Sequence, residues 1–128
     1  MLTPLEVKFI AALRSGKYKQ SKYQLRQLLE QGHCCLGIAC DISGLGFWDP
    51  KHLDIYLIPT EDESYTIEAE AALPSPVRQA LDWRDDAGRL TFLDRADEPM
   101  YLTTLNDDYD VTFPQIADLI EAGLIVKR

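Results

Sequence analysis

Cys34-Cys35-Leu36-Gly37-Ile38-Ala39-Cys40-Asp41-Ile42 is the stretch on which the fold turns, because every residue but Asp41 is apolar or glycine. Leu36, Ala39 and Cys40 fall on one face at helical spacing. Gly37 carries no Cβ and permits a close neighbour. So short a run also fits a buried strand. A short buried helix is the favoured reading, stopped by Gly44 and Gly46. A buried central segment then requires amphipathic elements on either side of it.

Thr3-Pro4-Leu5-Glu6 is a helix start, with Thr3 as N-cap, Pro4 at the first turn and Glu6 closing a capping box. Leu5, Phe9 and Leu13 repeat at spacing four and Gly16 is a stop, which predicts a helix over 4–15. Ser21-Lys22-Tyr23-Gln24 repeats the capping pattern. Leu25, Leu28 and Leu29 follow it and Gly32 ends the run, which predicts a helix over 22–31.

On the C-terminal side, Leu53, Ile55 and Leu57 alternate with His52, Asp54 and Tyr56, and Tyr65, Ile67 and Ala69 alternate with Thr66 and Glu68. With the polar turn 59–64 between them, these read as a β-hairpin with an acidic tip. Ser75-Pro76 begins another helix with Val77, Ala80 and Leu81 inward. Asp86-Ala87-Gly88 turns into a short strand over 89–93. Thr112-Phe113-Pro114-Gln115 is a further capping box, opening a last helix with Ile116, Ala117, Leu119 and Ile120 apolar and Gly123 as its end. Leu124-Ile125-Val126 adds a closing edge strand. The expected class is α+β: one domain over 1–128, with terminal helices packed around a small antiparallel sheet.

A chain of 128 residues buries enough surface to hold a core without disulfides or metal. The formal net charge of −8 disfavours a protein that wraps nucleic acid over its whole surface. Charge is uneven: 7–29 holds six bases and no acid, whereas 30–126 holds 20 acids against five bases. One consequence is solubility; a sharper one is an acidic face that docks on a basic partner. No apolar stretch reaches the roughly 18 residues of a membrane span, and the N-terminus lacks the basic n-region of a signal peptide. Three cysteines crowded into seven residues make a poor disulfide framework, so reduced thiols in a cytoplasmic protein are expected.

Cys34 and Cys35 at a helix N-terminus would have a stabilised thiolate. With Asn106 or Asp107 as orienting group, they form a candidate nucleophilic site. The competing reading is buried packing, the commoner fate of unreactive cysteine. Cys35-x₄-Cys40 with His33 or His52 lacks the second ligand pair of a zinc site, and no metal is expected. Asn106, Asp108 and Asp110 begin like a calcium loop, but Val111 stands where glycine belongs and Ala117 where the closing glutamate belongs. Backbone hydrogen bonding in the loop before the last helix is the simpler role for Asn106 and Asp107. Tyr18 and Tyr23 among the N-terminal bases give a modest single-strand-binding signal, opposed by the acidic remainder. No phosphate loop or other cofactor motif occurs, and no cofactor is expected.

Taken in order, Ala12–Gln20, Leu25-Arg26, Cys34–Asp41, Leu73-Pro74 with Val77, Leu105-Asn106-Asp107-Asp108, Phe113 and Ile116–Ile120 resemble a family of small uncharacterised proteins of bacteria and their phages. The resemblance covers most of the chain but skips 47–70, and Cys-Cys-Leu-Gly and Leu-Asn-Asp are its most specific parts. It implies a phage or mobile-DNA context and no activity. His33, adjacent to Cys34 and the histidine of a Cys/His/Asn arrangement, lies outside the matching motif, so the resemblance lends nothing to a His33–Cys34 dyad. Asp41 and Asn106-Asp107 suit a hydrogen-bonded brace between the cysteine helix and the terminal helix.

The expected function is a small acidic protein-binding module, in one version an inhibitor that covers a basic nucleic-acid-binding surface. Its expected contacts are Glu61, Asp62, Glu63, Glu68 and Glu70 at the hairpin. The alternative is a cysteine-dependent enzyme using Cys34 or Cys35.

Overall fold

The computed structural model describes residues 1–29, 31–62, 65–92 and 99–128. The fold is α+β. Among the described residues, five helices, α1 (Pro4–Arg14), α2 (Cys35–Ser43), α3 (Ser75–Leu81), α4 (Leu102–Asp108) and α5 (Phe113–Glu121), accompany two small antiparallel sheets. One sheet joins β1 (Arg26–Gln27) to β2 (Gly32–His33). The other runs β3 (Phe47–Trp48), β4 (Tyr56–Pro59), β5 (Thr66–Ala69) in that spatial order.

Both terminal helices begin as their sequences predict. The Thr3 hydroxyl accepts from the Glu6 N–H at 3.1 Å, and the Glu6 carboxylate accepts from the Thr3 N–H at 2.9 Å. Thr112 and Gln115 form the same reciprocal pair on α5. Each box satisfies two donors that the first turn leaves orphaned. α1 then packs on α5 and on α2. Phe9 and Leu13 of α1, Ile116 and Ile120 of α5, and Leu36 and Ile38 of α2 are all buried in the shared core.

α2 is the buried helix read from the sequence, and Gly44 closes it in the left-handed conformation at φ +69°. A Cβ on Gly37 would collide with the Leu25 carbonyl oxygen, so glycine is what allows the 25–26 segment to lie against this helix.

Glu6 does more than cap. It is buried, and its carboxylate accepts from the Trp83 indole N–H at 3.0 Å and from the Lys127 ammonium. That ammonium also donates to the Leu81 carbonyl at 3.2 Å. A buried charge requires such partners, and these ones tie the two chain ends together.

The segment 22–31 departs from expectation. Its described residues are not a helix but belong to a loop and to the β1–β2 pairing, with Tyr23 and Gln31 at positive φ (+72° and +52°). The Ser21 hydroxyl caps nothing and is buried without a partner among the described residues. Long-range backbone bonds take over. Ser21 N–H donates to His33 O at 2.8 Å, Leu25 N–H to Glu70 O at 2.8 Å, and Cys34 N–H to Leu25 O at 3.2 Å. Leu25 is buried, whereas Leu28 and Leu29 are exposed.

The β4–β5 hairpin exists, but β4 faces the opposite way from the expected alternation. Tyr56 and Ile58 are inward and Leu57 is outward, because a shift of one residue inverts a strand's faces. The Tyr56 hydroxyl accepts from the Gly46 N–H at 2.8 Å and lies 3.2 Å from the Ser43 hydroxyl, which satisfies a buried tyrosine.

Residues 102–108 form α4, so Asn106 and Asp107, expected in a loop before the last helix, lie on a helix of their own. Of the expected strand at 89–93, Arg89 and Leu90 make single bridges to Tyr101 and Ile125, and Leu93 lies outside the described residues. The expected closing strand at 124–126 pairs through that Leu90–Ile125 bridge. No helix among the described residues is long and apolar enough to cross a membrane.

Candidate functional site

The β3–β4–β5 sheet has two unlike faces. Cross-strand partners share a side. The inner side therefore carries Trp48, Tyr56 and Ala69 in one row and Ile58 and Ile67 in the next. Tyr56, Ile58 and Ala69 belong to the buried core. The outer side carries Phe47, Leu57 and Glu68 in one row and Pro59 and Thr66 in the next. Phe47 is half-exposed, and Glu68, Pro59 and Thr66 are exposed. A half-exposed phenylalanine and a partly buried leucine thus stand beside an exposed carboxylate.

The acids expected at the hairpin all reach solvent where they are described. Glu61 and Asp62 sit in the loop that precedes β5, Glu68 on β5, and Glu70 just past its other end. Glu63 lies outside the described residues. Glu61 and Glu68 make no ion pair among the described residues, and Glu70 accepts from the Gln24 amide at 3.3 Å. The sequence reading chose these carboxylates but missed Phe47 and Leu57. A half-buried leucine on the wrong side of an alternating strand leaves no local mark.

Two of the six bases in the N-terminal segment pair with the protein's own acids. Arg14 bridges Asp118 at 2.7 Å and Glu121 at 2.9 Å, and Lys22 bridges Asp110 at 2.7 Å. Tyr18 donates to Asp41 at 2.5 Å and Tyr23 to Asp108 at 3.3 Å. Both tyrosines proposed as stacking platforms therefore have carboxylate partners. Lys8, Lys17 and Lys19 remain exposed.

Cys34, Cys35 and Cys40 are free and buried. Cys34 is the N-cap residue of α2, and the N–H groups of Leu36 and Gly37 favour its thiolate, as a helix start should. Burial outweighs them and pushes the Cys34 thiol up to about 11. The Cys35 and Cys40 thiols are pushed up as well, again chiefly by burial. The nearby Asp107 charge raises Cys34 and Cys35 further, the reverse of what an activating partner does. The arrangement keeps three neutral thiols in a core. Among the described residues no group of three or more His, Cys, Asp or Glu is placed to hold a metal.

Asn106 is buried, donates to the Ser21 carbonyl and to Asp107 at 2.8 Å each, and accepts from the Gln20 amide at 2.8 Å. Asp107 accepts from the Tyr23 N–H at 3.0 Å. Asp41 accepts from Tyr18 and from the Trp48 indole N–H at 2.9 Å. These polar residues do form braces, but not between α2 and α5. They hold the 18–23 segment against α4 on one side and α2 on the other. Each oxygen and N–H so engaged is withdrawn from an orienting role in catalysis.

Comparison with characterised proteins returns no match, and neither does comparison with solved structures. A family model described as "Domain of unknown function (DUF8296)" matches residues 1–124. With nearly its whole length matched, the chain belongs to this family of unknown function.

Proposed function

We propose that this chain is a protein-binding module whose docking face is the outer side of the β3–β4–β5 sheet, and that its partner is basic where it docks. The observation that carries this is the outward row of Phe47, Leu57 and Glu68. A half-exposed aromatic beside a partly buried leucine, rimmed by charge, has the composition of an interface centre and its edge. Glu61 lies at the β4 end of the turn and, like Glu68, has no cation against it among the described residues. Both acids therefore remain available to an incoming cation. The chain's formal charge of −8 adds long-range attraction for a basic partner.

In the version we favour, the partner's basic surface is one that binds nucleic acid, and this chain inhibits it by occupying that surface. The setting is the cytoplasm of a bacterium carrying phage or mobile DNA, the context implied by the sequence resemblance. The test is the salt dependence of binding to the partner. Affinity should fall steeply from low to high ionic strength because the contacts are exposed charges. Affinity that stays flat across that range removes the electrostatic part of the proposal.

A further inference from the structure

A second feature lies on the β1–β2 hairpin and stands apart from the proposed docking face. There, a groove of about 340 Å³ is lined by Arg26, Gln27, Leu28, Gln31, His33 and Leu53. Its volume lies at the small end of ligand sites, roughly 300–1,000 Å³. The β1–β2 register pairs Arg26 with His33, so the guanidinium and the imidazole rise from adjacent strands.

Both groups are held in place by aromatic rings. The Arg26 guanidinium lies 5.3 Å from the centre of the Trp48 ring. One of its nitrogens donates to the Leu53 carbonyl at 3.4 Å. The His33 ring meets the Tyr18 ring at 5.2 Å and the Trp48 ring at 5.7 Å, both edge-on. Neither His33 ring nitrogen has a hydrogen-bond partner among the described residues. A positioned imidazole N–H and a guanidinium fork with free donors thus face one groove. Leu28 and Leu53, each more than two-fifths exposed, supply apolar surface beside them.

From this geometry we infer that the groove binds a carboxylate carrying a short aliphatic tail, as a free branched acid or as the C-terminal residue of a peptide. The guanidinium takes the carboxylate oxygens through paired N–H bonds. The His33 N–H donates a further bond, and Leu28 and Leu53 cover the tail. A monoanion fits better than a phosphate dianion because, among the described residues, one permanent cation lines the groove. Burial lowers the His33 pKa from its ordinary value, and Arg26 acts in the same direction while Asp41 opposes both. The imidazole is therefore a neutral donor near pH 7.

The test is an NMR titration of the full chain, following the Trp48 indole and His33 ring signals. Isovalerate should give saturable shifts, and isovaleramide and inorganic phosphate should each bind at least about tenfold more weakly. Arg26→Lys keeps the charge but loses the fork, and should weaken isovalerate about fivefold or more. Leu53→Ser, at an exposed position that leaves folding intact, should remove the preference for isovalerate over acetate. An N-acetyl-alanyl-leucine that binds tighter than isovalerate assigns the site to a chain terminus, and equal or weaker binding assigns it to the free acid. Absence of saturable shifts with every acid overturns the inference. So does equal binding of the amide or of phosphate.

Discussion

Phe47 stands directly opposite Leu57 in the β3–β4 ladder, and Glu68 completes the row on β5. The same register turns Trp48 and Tyr56 inward, where their rings meet at 5.1 Å. The inward pair anchors the sheet to the core, and the outward row is left for a partner. Because Phe47 is half-exposed and Glu68 is exposed, changing them should hardly disturb the fold. Phe47→Ser and Glu68→Lys should each unfold within about 0.5 kcal/mol of the parent in urea, as surface changes usually do. A much larger loss would place these side chains in the core rather than on a docking face.

The close approach of Leu25 to α2 depends on Gly37. Gly37→Ala places a methyl against the Leu25 carbonyl. Relief requires moving a segment that is bonded to Glu70 and Cys34. The expected cost is about 3 kcal/mol or more, at the upper end for overpacking, despite alanine's better helix propensity. Urea denaturation of the variant measures it, and an unchanged midpoint would refute the packing described for this helix.

Asn106→Ala removes the donor to the Ser21 carbonyl and the acceptor for Gln20. Leaving buried polar groups unmatched should cost about 2–3 kcal/mol. Asn106→Asp should be worse than alanine near neutral pH, since a carboxylate would face the Ser21 carbonyl and Asp107. Thermal melts of the two variants, compared at matched pH, check the order.

Lys127→Met leaves the buried Glu6 carboxylate with the Trp83 indole and its own capping bond. Breaking a buried pair from one side is strongly destabilising. Lys127 keeps 30% of its side chain exposed, so about 2–3 kcal/mol is expected here, below the fully buried range. Equilibrium unfolding gives the figure directly, and a neutral result would show that the pair contributes nothing net.

The thiols make a prediction about pH. Burial raises the Cys34 pKa in the folded chain from 9.0 to about 11. The unfolded chain therefore gives up its proton first as pH rises. Stability contributed by the neutral thiol is full below about pH 9 and is lost progressively toward pH 11. The loss from Cys34 alone is roughly 2–3 kcal/mol, at 1.36 kcal/mol per pKa unit. In the native state near neutral pH all three thiols should resist alkylation until the chain unfolds. One thiol modified rapidly in the folded protein would revive the nucleophile reading.

What the sequence revealed and what it hid divide along physical lines. The starts of α1 and α5 were legible because Thr3 with Glu6, and Thr112 with Gln115, satisfy the backbone within four residues. The buried α2 was legible from composition. The segment 22–31 looked equally well capped, yet its backbone bonds go to Glu70, His33 and Cys34, and partners that distant outweigh a local signal. α4 was missed because its N-cap is Tyr101, which makes no side-chain capping bond. In β4 the inward residue is Tyr56, whose hydroxyl is satisfied by the Gly46 N–H. Alternation alone favours leucine for that place, and the outer row of the candidate face was hidden by the same inversion. The hairpin acids were readable as exposed charge. The apolar half of the face became visible only with the register.

The most direct test of the docking face is a pull-down from host lysate, after nuclease treatment, with the parent chain and with Phe47→Ser and Glu68→Lys side by side. A stoichiometric protein held by the parent at low salt, released at high salt and lost with both variants is the predicted result. A protein held equally by the parent and both folded variants would contradict the account, because its contact would then lie elsewhere on the molecule.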